Sequence, residues 1–261
     1  MDLQLDGRTA LVTGATAGIG LAIAARLAAE GAEVVVPGRQ QAKLDAAAAE
    51  IGASGRVRTV LADAATAEGA AVLAGAVPEV DILVNNLGIY EARDFTAIAD
   101  ADWHRLFEVN VVSGARLAQA YVPRMRERGW GRIVFVSSES GLVPPPDMIH
   151  YAVTKSAQLT IARGLAQLTR GTGVTVNSVL PGPTRSEGIG DFLKSVASDP
   201  GLSPEAMEEE FFRLHRPLSL IRRMIEPDEI AAMVAYLASP LAAATNGAAL
   251  RVEGGIVPTI A

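Results

Sequence analysis

A chain of 261 residues with a formal charge of −6 and no cysteine is long enough for one α/β domain with a well-buried core. The absent thiols exclude disulfides, thiolate metal sites and cysteine nucleophiles. The acidic balance argues against broad nucleic-acid binding, which needs clustered Lys and Arg to displace counterions. No apolar run approaches the roughly 20 residues of a membrane span, and Met1–Gly7 carries no basic n-region or cleavage site. The expectation is an untargeted, soluble, cytoplasmic protein with no nucleic-acid or membrane partner.

The first strand is expected at Thr9–Val12, apolar on successive residues as in strands covered on both faces. It runs into Thr13-Gly14-Ala15-Thr16-Ala17-Gly18-Ile19-Gly20 and a helix over Ile19–Glu30. Glycines there let the backbone turn tightly and approach a pyrophosphate, whose charge is met by the helix N-terminus. The second strand, Glu33–Val36, ends in Pro37-Gly38-Arg39. An acid at this point binds the ribose 2′-hydroxyl of NAD, whereas an arginine accommodates the 2′-phosphate of NADP. Arg39 and the missing acid therefore favour NADP(H), with NAD(H) the alternative.

A helix at Gln41–Ile51 and strands at Val57–Leu61 and Asp81–Val84 come next, then a long helix at Asp102–Arg128 and a strand at Ile133–Val136. The last is followed by Ser137-Ser138, at the carboxyl edge of the sheet where a serine hydroxyl can polarise a substrate carbonyl. A helix at Tyr151–Thr169 opens with Tyr151 and Lys155, four residues apart and so on one face. An ammonium beside the phenol, together with an oxidised nicotinamide, lowers the tyrosine pKa and makes it a usable acid or base. A strand at Thr175–Leu180 leads to residues 186–220, which hold three prolines and the acidic run Glu208-Glu209-Glu210 but no strand. Phe192, Leu193, Phe211, Phe212 and Leu214 mark that stretch as a substrate lid rather than a solvated loop. A helix at Pro227–Ala238 and a strand at Ala249–Val252 complete the alternation. The whole reads as a single-domain, doubly wound Rossmann-type parallel sheet of about seven strands with helices on both faces.

With these motifs in order, the chain resembles the short-chain dehydrogenase/reductase family over nearly its whole length. Thr13–Gly20 matches that family's Thr-Gly-x-x-x-Gly-x-Gly, and Asn85-Asn86-Leu87-Gly88 its Asn-Asn-Ala-Gly. Tyr151 to Lys155 matches its Tyr-x-x-x-Lys, and Pro181-Gly182 its Pro-Gly after the sixth strand. The resemblance implies that Tyr151 is the acid/base and that Lys155 lowers its pKa and binds the nicotinamide ribose. It implies further that Ser138 orients the substrate oxygen and that Asn110 holds a water linking the lysine to solvent. Gly14, Thr16, Ala17, Gly18, Ile19, Gly20, Asn86 and Gly88 fall in the cofactor loops by the same resemblance, Asp63 and Ala64 match positions that contact adenine, and Pro181, Gly182, Thr184 and Ser186 match those at the carboxamide. Leu87 replaces the usual alanine, and Ser186 stands where threonine is more usual. Leu87, Ser140, Met148 and Glu187 are candidate substrate contacts. Glu139 and Glu187 flank the expected mouth, where a carboxylate repels anionic substrates or binds polar ones. His150 adjoins Tyr151 but points elsewhere on the helix, and no metal site is expected. A homotetramer, or else a homodimer, is implied because the family's corresponding long helices pack between subunits.

The expected activity is reversible hydride transfer between NADP(H) and a small-molecule carbonyl or secondary alcohol. The alternative within enzymes is an NAD-dependent sugar, polyol or alcohol dehydrogenase. The alternative from another class is a cofactor-sensing or scaffold protein, which has no need of an intact serine–tyrosine–lysine set.

Overall fold

The computed structural model describes residues 1–260. Seven strands form one parallel sheet: β1 (Thr9–Val12), β2 (Glu33–Gly38), β3 (Arg56–Leu61), β4 (Ile82–Asn85), β5 (Gly131–Val136), β6 (Val174–Pro181) and β7 (Ala249–Val252). Their spatial order is β3-β2-β1-β4-β5-β6-β7. The chain leaves β3 at one edge and re-enters beside β1 as β4, so the loops after β1 and β4 diverge and open a crevice between them.

Successive strand residues point to opposite faces, and this divides the apolar runs between two cores. Ala10, Val12, Val34, Val36, Ile82 and Val84 pack with helices α1 (Gly18–Ala29), α2 (Gln41–Gly52) and α9 (Pro227–Ala238). Leu11, Val35, Leu83, Ile133 and Phe135 face α3 (Ala67–Ala76), α5 (Ser113–Arg128) and α6 (Ile149–Leu168). Pro37 is tolerated inside β2 because pairing with β1 stops at Leu11 opposite Val35. Beyond that rung β2 pairs only with β3, and the missing N–H is no loss.

Three expectations are modified. The helix expected at Asp102–Arg128 is α4 (Asp100–Phe107) joined to α5 through a wide π-type turn at Glu108–Val112, which carries Asn110. Helix α3, capped by the Thr66 hydroxyl on the Gly69 N–H at 2.9 Å, was hidden by its alanines and glycines, which carry little periodic signal. The 186–220 stretch folds into two helices, α7 (Ile189–Val196) and α8 (Pro204–Leu214). Their Leu193, Met207, Phe211 and Phe212 form a third apolar cluster with Met224. Leu214 stays half exposed. No described helix is long and apolar enough to cross a membrane.

Candidate active site

At the crevice the two loops are stitched together by Thr13. Its buried hydroxyl donates to the Val84 carbonyl at 3.3 Å and accepts from the N–H groups of Asn86 and Leu87 at 3.1 and 3.0 Å. The Asn86 amide in turn donates to the carbonyls of Thr13 and Gly14 at 3.0 and 3.2 Å. Gly14 and Gly18 have φ of +65° and +55°, values that side-chain-bearing residues rarely adopt. A Cβ on Gly20 would lie 2.2 Å from the Gly14 carbonyl oxygen, so the start of α1 packs directly on the turn. Helix α1 has Ala17 at its N-cap, no side-chain cap and no acid in its first turn. Its N–H groups face the crevice end without a competing anion, which suits a pyrophosphate.

Next to this cradle lies a cleft of about 480 Å³. Ser138 follows β5 in extended conformation. Tyr151 and Lys155 come from the first turns of α6, which the Ser137 hydroxyl fastens to the end of β5 through the Lys155 carbonyl at 2.9 Å. Ser138, Tyr151 and Lys155 line the cleft together with Gly14, Ala17, Gly18, Ile19, Gly20, Asn86 and Gly88. Pro181 at the end of β6 and Gly182, Thr184 and Ser186 beyond it also line the cleft, as do Ser140, Met148 and Glu187. Phe192 and Phe211, from α7 and α8, line it too.

Other expected residues lie away from this cleft. Arg39, Asp63, Ala64 and Thr16 sit at the ends of β2 and β3 or beside them: Arg39 is 4.0 Å from Asp63, and Thr16 packs near Gly38. Leu87 packs its side chain against the core cluster of α3, α5 and α6 and is not among the residues that line the cleft.

The environment of the acid/base pair is set by burial. The Tyr151 phenol is pushed up from its ordinary value by desolvation and by the Glu139 carboxylate, with a Ser138 hydrogen bond and Arg216 opposing. Burial lowers the Lys155 ammonium to about 8, partly countered by Glu139. The protein's own groups thus keep Tyr151 protonated, and Lys155 is not what lowers it in the chain alone.

Asn110 cross-ties its surroundings through its side chain. Its side chain accepts from the Ile89 N–H at 2.8 Å and donates to the Ile89 carbonyl at 2.9 Å and to Thr154 at 3.0 Å. The link to the lysine runs through a residue the sequence reading missed. Gln158 donates to the Asn110 carbonyl at 2.6 Å and accepts from Lys155 Nζ at 3.2 Å, while the ammonium also donates to the Val136 carbonyl at 3.0 Å. Its signal was a polar side chain three residues after Lys155, on the same face of α6. A Gln158→Leu variant is expected to lose about 1–3 kcal/mol of stability, because the lysine is left short of an acceptor. Losing that acceptor disfavours the buried ammonium, so the Lys155 pKa should move further below about 8, and an alkaline limb of the pH–rate profile that reports Lys155 should move down with it. Chemical denaturation and pH–rate profiles check both; an unmoved limb contradicts this role for Gln158.

Comparison with known proteins agrees with this geometry. The model of the short chain dehydrogenase family matches residues 8–194. The chain is 46% identical to an uncharacterized oxidoreductase, YvaG, of Bacillus subtilis, across 100% of both chains. It is 38% identical to the galactitol 2-dehydrogenase (L-tagatose-forming) of Cereibacter sphaeroides, over 97% of this chain and 96% of that one. The solved L-sorbose reductase of Gluconobacter frateurii, complexed with NADPH and L-sorbose, matches with a TM-score of 0.92 at 32% identity, covering 100% of both chains. The chain is an enzyme of the short-chain dehydrogenase/reductase family, an oxidoreductase built on a dinucleotide-binding sheet.

Proposed function

We propose that the protein catalyses reversible, NADP(H)-dependent interconversion of a ketone and a secondary alcohol, with Tyr151 as the acid/base. The observation that carries this reading is the convergence of Ser138, Tyr151 and Lys155 on one cleft beside the α1 phosphate cradle. When bound, the nicotinamide supplies or accepts the hydride. The remaining work belongs to the chain. Ser138 holds the substrate oxygen, and Tyr151, kept protonated by burial, gives that oxygen a proton during reduction. Lys155 holds its positive charge next to the phenol, with Nζ 5.6 Å from the ring centre. In the alcohol-oxidising direction Tyr151 must act as phenolate, so that rate should rise with pH while reduction falls as Lys155 deprotonates. Purified protein mixed with NADPH and a ketone panel tests this: carbonyl-dependent NADPH oxidation supports it, and bound NADPH that no carbonyl consumes contradicts it.

Preference for NADP(H) rests on Arg39, which follows β2 where no acid stands and whose side chain is 75% exposed. Asp63, 4.0 Å away, is the observation on the side of NAD(H), since a carboxylate there repels a 2′-phosphate. The pair is loose and exposed, so the guanidinium is free to turn to a phosphate. Arg39→Ala is expected to weaken NADPH binding about tenfold to a hundredfold and to change NADH binding little. Cofactor fluorescence titrations measure this, and equal losses for both cofactors would contradict the assignment.

A further inference from the structure

The Ser138 hydroxyl is not idle in the cleft: it donates to Oε2 of Glu139 at 2.5 Å, while the Ser140 N–H donates to it at 3.1 Å. Glu139 is only 4% exposed. Its other oxygen lies 3.6 Å from Nε of Arg216, which arrives just beyond α8 and whose guanidinium stands over the Phe211 ring at 5.6 Å. Glu139 and Arg216 both line the cleft with Tyr151. They also form the wall between it and a second cavity of about 340 Å³ under Pro144–Pro146.

This arrangement poses a problem for a plain ketone. To hold a carbonyl oxygen, Ser138 must turn its hydrogen from Glu139 to the substrate. A buried Glu139 oxygen then loses a short hydrogen bond, and a simple ketone has no donor to return. A hydroxyl on the carbon next to the carbonyl does. Oxygens on adjacent carbons sit roughly a hydrogen-bond length apart, which matches the spacing of Ser138 Oγ and Glu139 Oε2. Ser138 can then donate to the carbonyl while the neighbouring hydroxyl donates to Glu139. Arg216 offers further donors to the next oxygen along and balances the Glu139 charge, which suits a neutral substrate.

We propose that Glu139 is the specificity-determining residue of this cleft, accepting the hydroxyl next to the reacting carbon, so that the substrates are vicinal hydroxy ketones and, in reverse, vicinal diols of the polyol class. The proposal rests on Ser138 and Tyr151 doing the chemistry assigned above. In the forward step the hydride from NADPH adds to the ketone carbon, the C=O π pair takes the Tyr151 proton, and the products are the diol and NADP⁺. The tyrosine regains its proton from solvent.

The test compares acetoin with butan-2-one, which lacks only the hydroxyl, and uses butane-2,3-dione as an activated ketone without a donor. Wild-type kcat/KM is expected to favour acetoin over butan-2-one by about a hundredfold or more. In Glu139→Gln and Glu139→Ala the acetoin-to-dione ratio of kcat/KM should fall about tenfold to a hundredfold. The affinity of butane-2,3-diol for the NADP⁺-loaded enzyme, measured by calorimetry, should fall with it. The isosteric Gln variant, checked by thermal melting, separates this from misfolding. Equal wild-type rates on acetoin and butan-2-one, an unchanged ratio in both variants, or a preference for the anionic 2-oxobutanoate would each overturn the proposal while leaving the oxidoreductase reading intact. If none of these ketones, the dione included, is reduced by the NADPH-bound enzyme, both fail together.

Discussion

A Tyr151→Phe variant is expected to lose about 10²- to 10⁴-fold in kcat for carbonyl reduction, the usual contribution of a positioned general acid, while its NADPH affinity and melting temperature stay near the parental values. The phenol sits where burial and the Glu139 carboxylate raise its pKa, so at neutral pH it carries the proton that the reduced oxygen needs. Phenylalanine keeps the ring, its edge contact with Tyr90 at 6.3 Å and its place over Lys155. The hydroxyl is lost, and with it the transferable proton and the Ser138 hydrogen bond. The deficit should appear in kcat and kcat/KM alike, as expected for an interaction made in the transition state. Steady-state kinetics over a ketone panel measures it, and unchanged turnover would mean the proton comes from elsewhere.

The second large effect is expected at Gly20. A methyl group there would meet the Gly14 carbonyl oxygen at 2.2 Å and the Asn86 amide at 2.4 Å. Neither can withdraw easily, since Asn86 also holds the Thr13 and Gly14 carbonyls. Gly20→Ala must therefore push α1 away from the turn or break that stitch. Overpacking of this kind costs about 1–3 kcal/mol. Where the strain falls on the phosphate loop, the same energy is about tenfold to a hundredfold in the NADPH dissociation constant. Thermal melts and fluorescence titration together measure both parts; parental binding and stability would show that the loop yields without loss.

Much of the fold was legible because it depends on patterns with strong physical causes. Strands buried on both faces tend to be continuously apolar, and β1 and the Ile133–Val136 run of β5 could be placed from that alone. The Tyr151–Lys155 pair was legible as geometry on one helix face, and Ser138 as the residue leaving β5. What stayed hidden had weaker signals. Helix α3 is built from small residues whose burial depends on partners elsewhere in the chain. The 186–220 stretch reads in sequence as a lid with no helices placed in it, although Ser203 before Pro204 was a helix start in plain view: the Ser203 hydroxyl accepts from the Ala206 N–H at 3.2 Å. Gln158 had only its i+3 spacing from Lys155 to mark it, and its bond to the Asn110 carbonyl, 48 positions away, was beyond periodicity. The Glu139–Arg216 pair likewise joins residues dozens of positions apart, and pairings of that kind are set by packing, not by local spacing. The asparagine at 110 shows the same limit. Its presence was visible, but the side chain spends its hydrogen bonds on Ile89 and Thr154, and the contact with Lys155 passes through Gln158.

Direct hydride transfer onto a substrate carbon in the Tyr151 cleft is tested with NADPH deuterated at the transferring position of the nicotinamide ring and acetoin as acceptor. One deuterium is expected on the new carbinol carbon of each butane-2,3-diol molecule formed, with product formation suppressed in Tyr151→Phe. NADPH oxidation that yields diol without deuterium at that carbon, or diol formation unaffected by the Tyr151→Phe change, would contradict it.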